Sequence, residues 1–546
     1  MQLKEYLEQL SPSNLKKIMT EQNLDISSIS PNELVKQLVA HLNDSNKIPL
    51  LYSQMTKSEK EVLEYFIIQI PNQILLYRRL EKSFPGLTRD EFEYGLTKLR
   101  RKGLIFTLRR GYGEIGYLIP DDLFLMWHRY FFRQILSRQY VIEDGKLEQE
   151  ELANATLEEN MFRFLAYLEL EDITITQKGT IPKRNIAKLS EELTLDSKVL
   201  ENFPIKIDKY SREYPKSIAI LLDFAFKLGL VELMDSLVIT NKARVWHNLP
   251  LKRRKIYLQT LTRQQLRSSD LLIQQLFNLL FQLPAGKWYP FAELFRELAK
   301  TLNRPFGSEL LLRAEKELIV PLRQFGWIGT IGEAGETRRV CRFEEAAPEI
   351  TQIYVQANYE ILVPKTYPDH LRLVIEHFAK LEQRDQMSKY VLSKEAVLRG
   401  LQRGKKLDEL LEILTKYSVI PLAENVRYSL EDWAKNFGTI SLMDIRIMKC
   451  KTEALAADLQ ENLEFKEWII GELTPGILIV KRTGFPEFLQ KLQDAGYYPD
   501  PKIWTESDLS AQQQTVEVES QIELFADSEL PIENIFPSFA KSQFFS

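Results

Sequence analysis

Three times this chain runs an amphipathic segment into a glycine and then into an aliphatic stretch. The junctions are Lys102-Gly103-Leu104-Ile105, Leu228-Gly229-Leu230-Val231 and Phe325-Gly326-Trp327-Ile328. Glycine has no Cβ, so it fits the left-handed position that ends a helix. The β-branched and large apolar residues that follow suit a strand. The pattern predicts a helix, a sharp stop and a hairpin, three times over. It restricts the chain to an α+β, mostly helical fold with small antiparallel sheets.

Helices followed by such a hairpin are the plan of a winged helix, so tandem winged-helix-like domains are expected. Residues 1–50 read as a helical N-terminal cap, with Ser11-Pro12-Ser13 and Ser30-Pro31-Asn32-Glu33 as helix starts. Residues 51–152 hold the first winged-helix-like unit. Thr56-Lys57-Ser58-Glu59 and Thr88-Arg89-Asp90-Glu91 are capping boxes. Phe92, Leu96 and Leu99 then share one helical face. Residues 153–250 form the second unit, whose third helix, from Ile218 to Leu228, is strongly apolar. Residues 251–348 supply a basic linker helix and the third unit, with a third helix from Ser308 to Phe325.

The chain has 546 residues and a formal net charge of -4. That balance argues against a protein that coats DNA with its whole surface, so any nucleic-acid contact must come from local basic patches. Cys341 and Cys450 are the only cysteines and lack CxxC partners. A reducing cytoplasm is the expected compartment, with nucleoid association in a bacterium. The charged N-terminus reads as neither signal nor transit peptide. No apolar run suits a bilayer span, so no membrane contact is expected.

From residue 349 the texture changes to an α+β domain that runs to 504. Thr351 to Gln356 and Tyr359 to Val363 read as strands. Helices are expected at His370–Gln383, Lys394–Arg403, Leu407–Tyr417 and Val426–Phe437. A strand pair is expected over Thr439–Lys449, then a helix at Lys451–Asn462, a strand at Gly476–Val480 and a helix at Phe485–Ala495. Residues 505–546 are polar, and their composition predicts a disordered tail with an apolar end suited to docking.

Within that domain, Gln356-Ala357-Asn358-Tyr359-Glu360-Ile361-Leu362-Val363-Pro364 resembles the opening of the domain found N-terminal to the motor of XPB-type helicases. Tyr390 to Val397, Pro421 to Val426 with Asp432-Trp433, and Pro475 to Val480 resemble later segments of the same domain, in the same order. Ala423 departs from it, because a second proline is common there. The resemblance covers roughly residues 350–500 and implies a helicase-associated protein that pairs with its counterpart on an XPB-like helicase. Gln356, Tyr359, Glu360 and Arg427 are then the candidates for the partner-binding face.

A helicase motor needs a P-loop to cradle phosphates. Ala285-Gly286-Lys287-Trp288 and Arg403-Gly404-Lys405-Lys406 lack both its leading glycine and its Ser/Thr. No catalytic residue, cofactor, metal or small-molecule substrate is expected. His370 and His377 share a helical face without further ligands at zinc spacing. The pairs Asp121-Asp122 and Asp408-Glu409 read as helix-cap and surface charges. The DNA-binding candidates are Lys98, Arg100, Arg101 and Lys102 on the first unit's helix, Arg109 and Arg110 on its hairpin, and the run Lys252, Arg253, Arg254 and Lys255. The bland alternative is a solvated helix end, where cations suit the dipole. Arg338, Arg339 and Arg342 are expected to pair with Glu333, Glu336 or Glu344. The expected function is a non-catalytic DNA-binding accessory subunit that docks on and regulates an XPB-like superfamily-2 DNA helicase in repair or transcription. The alternative is a stand-alone winged-helix transcriptional regulator.

Overall fold

The computed structural model describes residues 2–26, 30–71, 73–77, 86–109, 114–137, 156–171, 173–208, 210–234, 236–335, 337–342, 349–439 and 444–500. It is a mostly helical α+β protein with small antiparallel sheets. Two compact units divide it, Met1–Phe437 and Gly438–Ser546. The polar tail expected over 505–546 lies outside the described residues.

The N-terminal helices Leu3–Glu8, Pro12–Glu21 and Pro31–Leu42 share one apolar core with residues up to Trp127, including Leu38, Phe92 and Leu99. Both expected capping boxes form. Thr56 N–H donates to Glu59 Oε2 at 2.8 Å, and Thr88 N–H to Glu91 Oε2 at 2.8 Å. They open the helices Lys57–Glu64 and Arg89–Arg101. A Cβ on Gly95 would come within 2.6 Å of the Ser58 carbonyl oxygen, so the two helices touch backbone to backbone there. Strands Leu75–Leu76, Phe106–Arg109 and Ile115–Leu118 form an antiparallel sheet with the last strand in the middle.

The second unit repeats the order with helices Leu157–Leu170, Lys183–Glu192 and Lys216–Lys227, then strands Val231–Leu233 and Leu237–Ile239. Thr174 bridges Ser236 as a vestige of the third strand. The third unit has helix Leu271–Leu280, strand Trp288–Pro290, helix Phe291–Thr301, a third helix from Ser308 to Gln324, and strands Ile328–Ile331 and Arg339–Arg342. Its sheet again places the last strand in the middle. That third helix carries a π turn at Glu315–Ile319. Second and third units share one continuous core, which includes Leu165, Leu221, Leu276 and Phe325.

All three glycine junctions stop their helices in the same way. Gly103, Gly229 and Gly326 have φ of 74°, 67° and 70°. In each, the following N–H reaches back to a carbonyl five residues earlier: Leu104 to Leu99, Leu230 to Ala225 and Trp327 to Leu322. This closes the helix end with the orphan carbonyls satisfied.

Residues 353–437 build a four-stranded antiparallel sheet in the order Ala379–Gln383, Met387–Leu392, Glu360–Pro364, Tyr354–Val355. Helices Asp369–Phe378, Lys394–Gln402, Leu407–Lys416 and Glu424–Lys435 accompany it. The helix expected over His370–Gln383 therefore ends at Phe378. Ala379 to Gln383 favours helix in isolation, but pairing with Met387–Leu392 overrides that weak preference. In the Gly438–Ser546 unit, strands Arg446–Lys449, Ile477–Val480 and Ile469–Thr474 form a sheet with Ile477–Val480 in the centre. Helices Glu453–Glu461 and Phe485–Asp494 belong to the same unit, around a core that includes Phe465, Trp468, Leu478 and Phe488. The strand expected at the start of Thr439–Lys449 falls partly on residues 440–443, outside the described residues. The strand Ile469–Thr474 was not among those expected.

Candidate nucleic-acid and partner interfaces

The Arg89–Arg101 helix buries Phe92, Gly95, Leu96 and Leu99 and turns its last turn of cations outward. Arg100 and Arg101 are exposed and Lys98 is half-buried. The Arg100 guanidinium lies 5.6 Å from the centre of the Tyr117 ring, on the central strand of the sheet. Lys98 Nζ lies 5.9 Å from the ring of Tyr94, which is itself exposed. Arg109 is exposed on the neighbouring strand, paired with Ile115. Cations and exposed aromatic surface therefore adjoin one hairpin, which is the combination that phosphates and bases can both use. Arg110 lies outside the described residues.

Lys102 departs from the expectation. Its Nζ sits 2.7 Å from Glu59 Oε1, a buried carboxylate that also caps the preceding helix. Burial works against the charge on Glu59, but the hydrogen bonds from Lys102 and Thr56 outweigh it and hold the carboxyl below its usual range. Lys102 is thus an internal strut between two helices. Arg338 Nε donates to buried Glu315 at 2.5 Å, on the third helix, while Glu336 and Glu344 lie outside the described residues.

The run Lys252 to Lys255 opens the helix Leu251–Gln265. Four consecutive residues wind completely round a helix, so they cannot all face solvent. Lys252 and Arg253 are exposed, whereas Arg254 and Lys255 are buried. Arg254 forms an ion pair with Asp369, 115 positions away. Arg254 and Lys255 are therefore corrected from surface cations to interior ones. The exposed basic surface of this helix is carried by Lys252 and Arg253.

The helix Lys216–Lys227 occupies the same position in the second unit as Arg89–Arg101 in the first. Every residue from Ser217 to Ala225 is buried. It is a core helix and offers no groove-reading face. Asp121 and Asp122 are also structural. Asp122 Oδ1 accepts the Leu3 N–H at 2.8 Å, and Asp121 Oδ2 accepts from Gln264 at 2.6 Å. His377 Nε2 is 3.1 Å from Glu169, which also takes Lys405 at 2.8 Å. Burial alone would raise the Glu169 carboxyl, but His377 and Lys405 outweigh it and bring it down to about 2. Among the described residues no group of three or more His, Cys, Asp or Glu could hold a metal ion, and no helix is long and apolar enough to cross a membrane.

The partner candidates lie on the sheet and helices of residues 353–437. One side is taken by the chain itself. Helix Asp369–Phe378 packs on helix Leu157–Leu170, where Arg163 meets Glu376 at 2.8 Å and Tyr390 donates to the same carboxylate at 2.6 Å. Gln356, Arg427 and Tyr428 are exposed elsewhere on the domain, Tyr428 at 73%. Arg427 donates to Thr415 at 3.1 Å. Glu360 is half-buried and held by Lys389 at 3.3 Å. Tyr359, in the left-handed region at φ 71°, packs on Trp433 and bonds Ser429, so it shapes the turn more than it offers a free surface.

Residues 353–473 match the family model of the helicase conserved C-terminal domain. The match ties this part of the chain to a helicase-related role. It runs across the boundary at Phe437 and Gly438, so it draws on both compact units. No curated protein matches the chain.

Proposed function

We propose that this protein is a non-catalytic accessory subunit that docks on an XPB-like superfamily-2 DNA helicase and regulates it, in repair or transcription. The observation that carries this reading is a helicase-type domain at 353–473 in a chain without a P-loop. Tandem winged-helix-like units upstream support it: helix, strand, helices and hairpin, with the last strand central in the first and third sheets. The first unit is the DNA-facing one, through Arg100, Arg101 and Arg109, with Lys252 and Arg253 as a further basic contact. The second unit braces. The exposed side of 353–437, around Gln356, Arg427 and Tyr428, is the docking face for the helicase.

Affinity purification of the tagged protein from its native cells tests this. A stoichiometric XPB-like helicase among the recovered proteins is the expected result. Recovery of sequence-specific DNA with no helicase would overturn the proposal in favour of a stand-alone winged-helix regulator.

A further inference from the structure

A cavity of about 310 Å³ lies inside the Met1–Phe437 unit. Three distant stretches meet there: the start of helix Leu157–Leu170, the start of helix Leu251–Gln265, and residues 365–372. Its size falls at the small end of ligand sites. Arg254, Arg372 and Tyr367 line it and are 2%, 1% and 2% exposed.

The hydrogen-bond inventory of its walls is one-sided. Each wall carboxylate has a donor or a cation nearby. Asp369 faces Arg254, Glu158 accepts from Trp327 Nε1 at 2.8 Å, Glu159 lies 4.0 Å from Lys365, and Glu349 accepts the Leu251 N–H at 3.4 Å. What is left over is donors, apart from Asp369 Oδ2, which faces Arg254 in the ion pair. The Tyr367 hydroxyl, the Thr366 hydroxyl and the Nε atoms of Arg254 and Arg372 are buried with no hydrogen-bond partner among the described residues. Leaving several buried donors unmade is costly, and their clustering round one cavity is not expected of a packing core. Arg372 spends its Nη2 on two carbonyls, Pro364 O at 2.9 Å and Lys365 O at 2.6 Å, and no described carboxylate forms an ion pair with it.

We propose that this cavity binds a phosphate group, with the Tyr367 and Thr366 hydroxyls and the Arg254 and Arg372 guanidinium groups donating to its oxygens. A phosphate presents several oxygen acceptors, which suits these unpaired donors. The inference is independent of the helicase reading. The phosphate can come from a small phosphorylated molecule or from a nucleic-acid strand.

Calorimetric titration of the full-length chain with inorganic phosphate, a nucleoside monophosphate and a single-stranded oligonucleotide tests it, with acetate as the carboxylate control. The variants are Tyr367→Phe and Thr366→Val. Each deletes one hydroxyl without leaving a buried acceptor unpaired. Binding of one of the phosphate probes, weakened about tenfold in each variant, is the expected result. Effects confined to the two small probes point to a free ligand, and the same effects on the oligonucleotide point to a strand phosphate. The thermal midpoint separates a ligand role from a packing role, because Tyr367→Phe should leave the unliganded protein as stable as before. No heat with any probe, affinities unchanged in both variants, or acetate binding as tightly as phosphate would each overturn the assignment.

Discussion

The helices Arg89–Arg101 and Lys216–Lys227 hold the same place in two units of one chain, and each ends in the same glycine stop. One shows Arg100 and Arg101 to solvent, and the other buries every residue from Ser217 to Ala225. The local signal fixes the backbone in both. What separates an exposed basic helix from a buried one is the chemistry of the outer helical face, whose neighbours come from elsewhere in the chain.

The sharpest way to break that comparison is to put a charge on the buried helix. Leu221 is fully buried, so Leu221→Asp strands a carboxylate in the core. A loss of about 4 kcal/mol or more is expected in urea unfolding, enough to prevent folding. If Leu221→Asp were tolerated, the second helix would not be a core element.

Acid reaches the same core through a histidine. His128 bridges Gln275 at 3.0 Å and Gln282 at 3.0 Å, between helix Asp121–Phe131 and the third unit. Burial lowers its pKa from 6.5 to about 4, against the opposing pull of those two glutamines. The folded state therefore prefers the neutral ring. Its contribution is complete above pH 6.5 and is lost as pH falls from 6.5 towards 4. The loss amounts to roughly 3 kcal/mol at the acid end. Unfolding curves of wild type and His128→Gln across that window should converge at low pH, and parallel curves would refute the assignment.

The three glycine stops sharpen the comparison on a smaller scale. An alanine Cβ at Gly326 would lie 2.8 Å from Thr156 Cγ2, whereas at Gly229 the nearest atom is Lys242 Nζ at 3.2 Å. Both positions carry the left-handed penalty, and only the first adds a clash with a β-branched side chain. Gly326→Ala should cost about 3 kcal/mol and Gly229→Ala about 1 kcal/mol, as read from unfolding midpoints. Equal costs would mean that Thr156 yields freely.

The smallest stability effect belongs to the exposed helix. Arg100→Ala with Arg101→Ala should cost no more than about 1 kcal/mol, most of it the contact with Tyr117. The same pair should reduce the salt dependence of DNA binding by roughly two phosphate contacts. An unchanged salt slope would move the DNA contact off this helix.

Elements set by neighbouring residues are legible in the sequence. The capping pairs Thr56 with Glu59 and Thr88 with Glu91, and the glycines at 103, 229 and 326, act within a few residues of themselves. The strand Ala379–Gln383 is not, because its residues favour helix until Met387–Leu392 pairs with them. The run Lys252 to Lys255 carries a helical period that separates two exposed cations from two inward ones, but only Asp369 shows why Arg254 can be buried. The cavity is beyond sequence reading altogether. Glu158, Arg254 and Tyr367 come together across more than two hundred positions, and no local pattern encodes that meeting.

The most direct test of the helicase account is the ATPase rate of the purified partner helicase with and without this protein. An accessory domain changes that rate only if it binds one state of the motor better than another. A saturable, stoichiometric rise, reduced by substitutions at Arg427 and Tyr428, is the predicted result. A rate unchanged at saturating protein would contradict the account.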